Sequence, residues 1–342
     1  MKYINASYEI LDNIDSIEGI ERAARLCYKS EKAITSDSAK SFVKRLIDNQ
    51  HTAMLEHMNI VVERSPIVAS TIPKSIHQFR HSVSERGYIL SGNVRAFRNF
   101  CKEYIGVNYS SNIECILKTL HQTYPVLFDD IVNADKSLNI KSHIEFDNYD
   151  ESDYEWCEIL DPSAFSIYQR RIHDTMSVKF VCDRAIANEI VRHRLCSFAQ
   201  ESTRYINYNK RGGIAIIKPS WLDADILDTV DVSDITFDNN QIVSKSGRSL
   251  TPEDIYTFVS TVCESGYNTL IDNYGKKAQL ARNILPLGLK TELLVTANIE
   301  EWKHIFNLRA LGTTGEPHPQ IKELMLSLYE ECIQKDKELW EF

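Results

Sequence analysis

The sequence predicts an α/β protein. Short stretches of strand character (Tyr3 to Leu11, Met58 to Glu63, Met176 to Val181, Ile214 to Ile217 and Thr291 to Thr296) recur along the chain. Between them lie stretches whose apolar residues fall at helical spacing, several with their own capping signals. At 342 residues the chain can bury one large core or two smaller ones. Its 43% apolar and 25% charged residues are those of an ordinary globular protein.

Taken in order, Tyr3 to Leu11 alternates loosely and reads as a strand. Glu18 to Tyr28 follows as a helix with Ile20, Ala23, Ala24 and Cys27 on one face. Ser36 or Asp37 can cap a second helix carrying Phe42, Val43, Leu46 and Ile47. Gln50 to His57 reads as a turn into the strand Met58 to Glu63, with its histidines hydrogen-bonded to backbone. His51, Glu56 and His57 do not have the H-E-x-x-H spacing and no cysteine pair accompanies them, so no metal is expected. Ser91 to Phe100 reads as a strand end turning into a helix, and Cys115 to Tyr124 as a helix that Pro125 ends. Asn133 to Asp161 is acidic and aromatic with little periodicity, a surface excursion on this reading. No repeats or low-complexity tracts stand out.

In the second half, Asp183 caps a helix carrying Ile186, Ile190 and Val191. Arg211-Gly212-Gly213 makes a turn before the strand at Ile214, and Asp223 to Ser249 reads as loop or hairpin. Thr251-Pro252-Glu253-Asp254 is a strong helix start: a hydroxyl cap, proline at the first position, acids in the first turn. The helix beyond it should carry Ile255, Phe258, Val259, Val262, Tyr267 and Leu270 toward the core. Lys277 to Leu285 is a helix ending in the rigid Leu285-Pro286-Leu287-Gly288 turn.

The densest chemistry lies at Arg192-His193-Arg194-Leu195-Cys196-Ser197-Phe198-Ala199-Gln200-Glu201-Ser202-Thr203-Arg204-Tyr205. Guanidinium forks grip phosphate or carboxylate, and hydroxyls add neutral donors. Leu195, Cys196, Phe198 and Tyr205 should bury this stretch, and buried arginines need anionic partners. An anion-binding site is therefore expected here. The net charge of −9 argues against nucleic-acid binding and makes the arginines a local site in an acidic protein. Eight cysteines are scattered without a C-x-x-C pair, the usage of reduced thiols. No signal segment and no apolar run of ~20 residues is seen, so a soluble protein of the cytoplasm (the host's, if the source is viral) without membrane association is expected.

The arginine stretch resembles the signature of the flavin-dependent thymidylate synthases: R-H-R, two residues, S, one residue, N-E, one residue, S, one residue, R. Arg192, His193, Arg194, Ser197, Ser202 and Arg204 match, while Ala199 and Gln200 stand where the family has Asn and Glu. Three further blocks resemble the family. These are the Ala23 to Tyr28 helix tail, the segment His51-Thr52-Ala53-Met54-Leu55-Glu56-His57, and Ala281-Arg282 through Leu285-Pro286, Asn298 and Asn307-Leu308-Arg309. His318-Pro319-Gln320 is similar to a later H-A-Q element, and Ser91-Gly92-Asn93-Val94-Arg95 to a segment of longer members.

The resemblance implies an α/β fold with a mixed sheet flanked by helices, in one elaborated domain with an insertion at about 66–175. It implies reductive methylation of dUMP to dTMP, with methylenetetrahydrofolate and NADPH as co-substrates and FAD as cofactor. It assigns Glu189, Arg192, Gln200, Glu201, Ser202, Thr203, Arg204, Arg282 and Arg309 to dUMP, with Arg309 also catalytic at the uracil edge. It assigns Cys27, His51, Ala53, Glu56, Arg192, His193, Arg194, Gln200, Asn298, His304 and Leu308 to FAD. It further implies a homotetramer with shared sites. The alternative is an inactive nucleotide- or flavin-binding regulatory protein, which the departures at Ala53 and Gln200 favour.

Overall fold

The computed structural model describes residues 1–12, 14–65, 78–104, 111–134, 156–223, 227 and 229–342. The chain begins with β1 (Lys2–Ile4), β2 (Ser7–Leu11), α1 (Ile17–Tyr28) and α2 (Ser38–Asp48), then a 3-10 turn, Thr52–His57. β3 (Asn59–Arg64), β4 (Arg80–Val83), β5 (Tyr88–Asn93), α3 (Val94–Tyr104), α4 (Ser111–Thr123) and α5 (Pro125–Ala134) follow. Next come β6 (Cys157–Ile159), α6 (Ile167–His173), β7 (Thr175–Asp183), α7 (Arg184–Ile190), β8 (Ser197–Gln200), β9 (Ala215–Ile217), β10 (Ile235–Asp238) and β11 (Gln241–Ser244). The chain closes with α8 (Pro252–Asp272), α9 (Ala278–Ala281), β12 (Lys290–Asn298), α10 (Ile299–Arg309), α11 (Pro319–Lys335) and α12 (Lys337–Trp340).

Two four-stranded antiparallel sheets organise these elements, one in the order β2-β7-β12-β8 and the other β4-β5-β3-β6. β1 pairs in parallel with β9, and β10 and β11 form a hairpin. The expected α/β class, mixed strands with helices against the sheets, is what the chain adopts. One apolar core gathers Ile20, Val43, Leu55, Phe97, Leu120 and Phe128 around the second sheet. Another gathers Val178, Phe180, Leu293, Trp302, Phe306 and Met325 around the first.

Local signals act as expected in most places. Ser16 accepts from the Gly19 N–H and Asp183 from that of Ile186, each capping its helix. Thr251 and Asp254 close a reciprocal capping box with Pro252 in the first turn. Pro125 ends α4 and opens α5, where its missing N–H costs nothing. Asp223 to Ser249 contains the hairpin.

Other readings are corrected. Tyr3 to Leu11 is two strands, because the chain leaves β9 at Ile4 and joins β7 at Ser7. Ile255, Val259 and Val262 of α8 are exposed at 42%, 39% and 42%. The inward face of α8 instead carries Asp254, which Arg248 grips with two bonds of 2.6 and 2.9 Å, and Thr257, which accepts from the Tyr3 hydroxyl at 3.1 Å. Tyr267, fully buried, and Leu270 do pack toward the core as expected. Cys157–Ile159 within the predicted excursion adds an edge strand to β3, while 135–155 lie outside the described residues.

Three histidines, His57, His173 and His193, are buried and held down at about 4. Burial is the leading cause in each case. The unfolded chain, with histidines near 6.5, binds more protons between those values. Their contribution to stability is therefore complete above pH 6.5 and is lost as pH falls toward 4. For the fully buried His57 this amounts to up to roughly 3 kcal/mol. A urea midpoint that drops steeply from pH 6.5 to 4.5 is expected; a flat midpoint across that window would contradict it.

Candidate functional site

The arginine stretch begins where α7 ends. Val191 closes the helix, and Arg192, His193 and Arg194 follow in a turn before β8. β8 is fixed along the edge of β12 in the register Ser197 with Thr296 through Gln200 with Leu293. Four strand residues span roughly 13 Å, so Arg192 and Arg194 stand at one end of β8 and Ser202 to Arg204 at the other. The expectation of a single buried arginine cluster is thus corrected. Leu195 and Tyr205, expected to bury the stretch, are 70% and 60% exposed, while Cys196 and Phe198 are half-buried.

The predicted residues fall into three groups. The first joins the end of α7 to α10. Arg309 Nη1 lies 3.1 Å from Glu189 Oε2, and Arg309 Nε donates to His193 Nε2 at 3.3 Å. The His193 and His304 rings meet near perpendicular at 6.3 Å. Burial, then the Arg309 charge and His304, push His193 down to about 4, so it is neutral at pH 7 and can accept from Arg309. The bland pairing of Arg309 with Glu300 or Glu301 is not what forms; Glu189 is the partner. Leu308 is half-buried on the same helix, and Arg192 is exposed without a side-chain hydrogen bond or ion pair to any described residue.

The second group sits at the other end of β8, against the C-terminus of α1. Ser202 N donates to Cys27 O at 3.0 Å, and the Arg204 N–H donates to Ser202 Oγ at 3.2 Å. Arg282 Nη1 donates to Thr203 Oγ1 at 3.1 Å. The Arg204 guanidinium lies 5.4 Å over the Tyr205 ring, which meets Tyr28 at 5.1 Å. Gln200 Nε2 reaches Thr291 Oγ1 at 3.4 Å. Glu201 is buried and its carboxylate is committed to Lys290 at 2.7 Å, so its role is to brace the turn. Ala199 is buried in one apolar cluster with Ala23 and Leu26.

The third group lines a cavity of about 590 Å³ between the two sheets. Glu56, Arg194 and Asn298 belong to it. Asn298 also caps α10, accepting from Glu301 N at 3.1 Å, and donates to Ile172 O at 3.2 Å. Glu56 accepts from Arg95 at 2.5 Å. His51 and Ala53 are exposed outside the lining. Among the described residues, no side-chain hydrogen bond or ion pair joins one group to another.

Sequence reasoning assigned no role to Arg80, Asn93, Arg95, Asn99 or His173, all in the cavity wall. The signal available was Ser91-Gly92-Asn93-Val94-Arg95. Gly92 is obligatory there, since a Cβ would lie 2.8 Å from the Phe79 ring, and Asn93 caps α3 by accepting from Ala96 N at 2.9 Å. Among the described residues no group of His, Cys, Asp or Glu is placed to hold a metal ion. No described helix is long and apolar enough to cross a membrane.

The family described as "Thymidylate synthase complementing protein" matches residues 9–88 and 171–336. The chain is 30% identical over 129 residues to the flavin-dependent thymidylate synthase of Thermococcus onnurineus, covering 38% of this chain and 43% of that protein. It is 30% identical over 155 residues to the enzyme of the same description from Pyrococcus furiosus, 45% of this chain and 52% of that one. The chain thus spans about half the length of these curated relatives. A solved thymidylate synthase X from Helicobacter pylori with FAD and dUMP superposes with a TM-score of 0.34 at 17% identity, over 49% of this chain and 71% of that one. Both blocks that carry the Arg309, Glu189 and His193 cluster lie inside the matched residues, and the match extends over most of the chain: it belongs to the thymidylate synthase complementing protein family, that of the flavin-dependent thymidylate synthases.

Proposed function

We propose that this protein is a flavin-dependent thymidylate synthase, converting dUMP to dTMP with methylenetetrahydrofolate as carbon donor and FAD reduced by NADPH. The observation that carries the reading is the Arg309–Glu189–His193 cluster. Two motif blocks more than a hundred residues apart meet there around one guanidinium. Neutral His193 and the Glu189 side chain fix the fork of Arg309, leaving a permanent cation to face the pyrimidine edge and stabilise charge as N3–H ionises. Ser202, Thr203, Arg204 and Arg282 are the phosphate ligands of dUMP on this reading.

The cavity suits the anionic part of a flavin dinucleotide. Arg80 and Arg194 line it without a side-chain hydrogen bond or ion pair to any described residue, and such guanidiniums favour phosphate oxygens. Bound FAD supplies the hydride; the protein's residues orient it and exclude water. In a homotetramer, exposed His51, Ala53, Arg192 and His304 of one subunit can join the groups of another, which a single chain keeps apart. The proposed setting is the cytoplasm.

Purified protein should be yellow and oxidise NADPH when dUMP is present. A colourless protein that neither takes up FAD nor oxidises NADPH overturns the reading; bound flavin without turnover favours the regulatory alternative. Ser202→Ala should weaken dUMP binding by roughly 10–150-fold, the worth of one charge-assisted hydrogen bond, yet retain turnover at saturating dUMP. Lost turnover with unchanged dUMP affinity would instead make Ser202 a nucleophile.

A further inference from the structure

The two four-stranded sheets are the same sheet built twice. Their orders correspond, β4-β5-β3-β6 to β8-β12-β7-β2, and every neighbouring pair is antiparallel. The registers correspond residue for residue. Asn59 pairs with Asn93 and Val62 with Leu90, as Thr175 pairs with Asn298 and Val178 with Val295. Arg80 pairs with Ser91 as Ser197 pairs with Thr296, and Val62 pairs with Ile159 as Val178 pairs with Ile10. Each central strand, β5 or β12, ends in an asparagine that caps the next helix, Asn93 for α3 and Asn298 for α10. Side-chain identity is too sparse for this to show as a sequence repeat.

The two copies are also interlocked. In chain order, β2 precedes β3 and β6 precedes β7, yet β2 pairs with β7 and β6 with β3. Each copy's leading strand therefore completes the other's sheet. The histidines repeat the exchange: His57 Nδ1 meets Thr296 Oγ1 at 2.8 Å, and His173 Nδ1 meets Ser91 Oγ at 2.8 Å. Residue i of one copy meets j of the other and the reverse, the rule of an isologous dimer interface.

The cavity lies across this internal interface. Arg80 and Arg95 reach it from the first copy and Arg194 from the second, with Glu56 the one acid among the described residues of its wall. The starts of α3 and α10 both open on it through Asn93 and Asn298, adding two helix N-termini to the positive field. They are not equivalent. The first turn of α10 holds Glu300 and Glu301, which attract Arg80 without pairing with it, whereas that of α3 holds Arg95 and no acid.

We infer that this chain is a fused, strand-swapped pair of one folding unit, residues 7–104 and 157–309, and that the cavity between them is a composite site for a diphosphate-bearing ligand, with Arg80 of one unit and Arg194 of the other as its clamp. The diphosphate lies toward the start of α3. The choice of FAD as the natural ligand rests on the proposed function; the two-sided clamp does not.

The test is calorimetric titration of the full chain with ADP and, separately, with FAD, for wild type, Arg80→Ala, Arg80→Lys and Arg194→Ala. Circular dichroism and urea midpoints verify that each variant is folded. Both alanine variants should lose roughly tenfold or more in affinity for ADP and for FAD, with Arg80→Lys recovering part. An Arg80→Ala protein that is folded and binds both ligands like wild type overturns the composite site, as does a wild type that binds neither. Wild type that binds ADP but not FAD, with both arginines still required, overturns the flavin reading and leaves the clamp standing.

Discussion

Replacing Arg309 by alanine is expected to lower dTMP formation by on the order of 10²–10³-fold, the scale for removing a donor aimed at developing charge. The loss should fall on turnover more than on dUMP affinity, because negative charge at the uracil edge grows along the reaction. FAD content and its reduction by NADPH should stay near wild type. Arg309→Lys should recover only part, since an ammonium cannot reach Glu189 and His193 together with a planar fork. The structure adds an independent reading. Arg309 is one of the groups holding His193 down, so the His193 titration observed by NMR should move upward in Arg309→Ala. An unmoved titration with wild-type turnover would show that this cluster is not the pyrimidine site.

Trp302→Ala should cost ~3–5 kcal/mol of stability, the range for deleting a large buried aromatic. Trp302 is fully buried, with Phe180 at 6.3 Å and Phe306 at 5.8 Å between ring centres, and its indole donates to Met176 O at 2.8 Å. Truncation leaves a cavity and removes the bond from the indole to the β7 carbonyl. Because Trp302 and Arg309 share α10, residual protein should also lose activity, whereas Trp302→Phe should keep most of both. A urea midpoint unchanged by Trp302→Ala would mean that this helix is not seated on the sheet as described.

Much of this architecture was legible where local chemistry acts alone. The Asp183 and Thr251 caps, the Pro125 break and the strand end turning into a helix at Ser91 to Phe100 needed only their own neighbours. What sequence could not show was set by pairing at a distance. The outward turn of Ile255, Val259 and Val262 follows from Arg248 and Tyr3 seizing the other face of α8. The reciprocal exchange of β2 and β6 depends on which central strand each leading strand meets, which no local pattern encodes. Within the site, the resemblance implied Glu189 and Arg309 at the nucleotide and His193 at the flavin; that one guanidinium joins all three follows only from the folded chain. Arg80 was passed over because one arginine on a short edge strand carries no pattern; only the cavity gives it meaning.

That this chain makes dTMP can be read directly from its product. Purified protein supplied with FAD, NADPH, dUMP and methylenetetrahydrofolate carrying an isotopically labelled methylene should yield dTMP labelled at its methyl group. Omitting dUMP, NADPH or flavin should abolish that product. Flavin-loaded, folded protein that forms no labelled dTMP under these conditions would contradict the account and leave a flavin- and nucleotide-binding protein without the reaction.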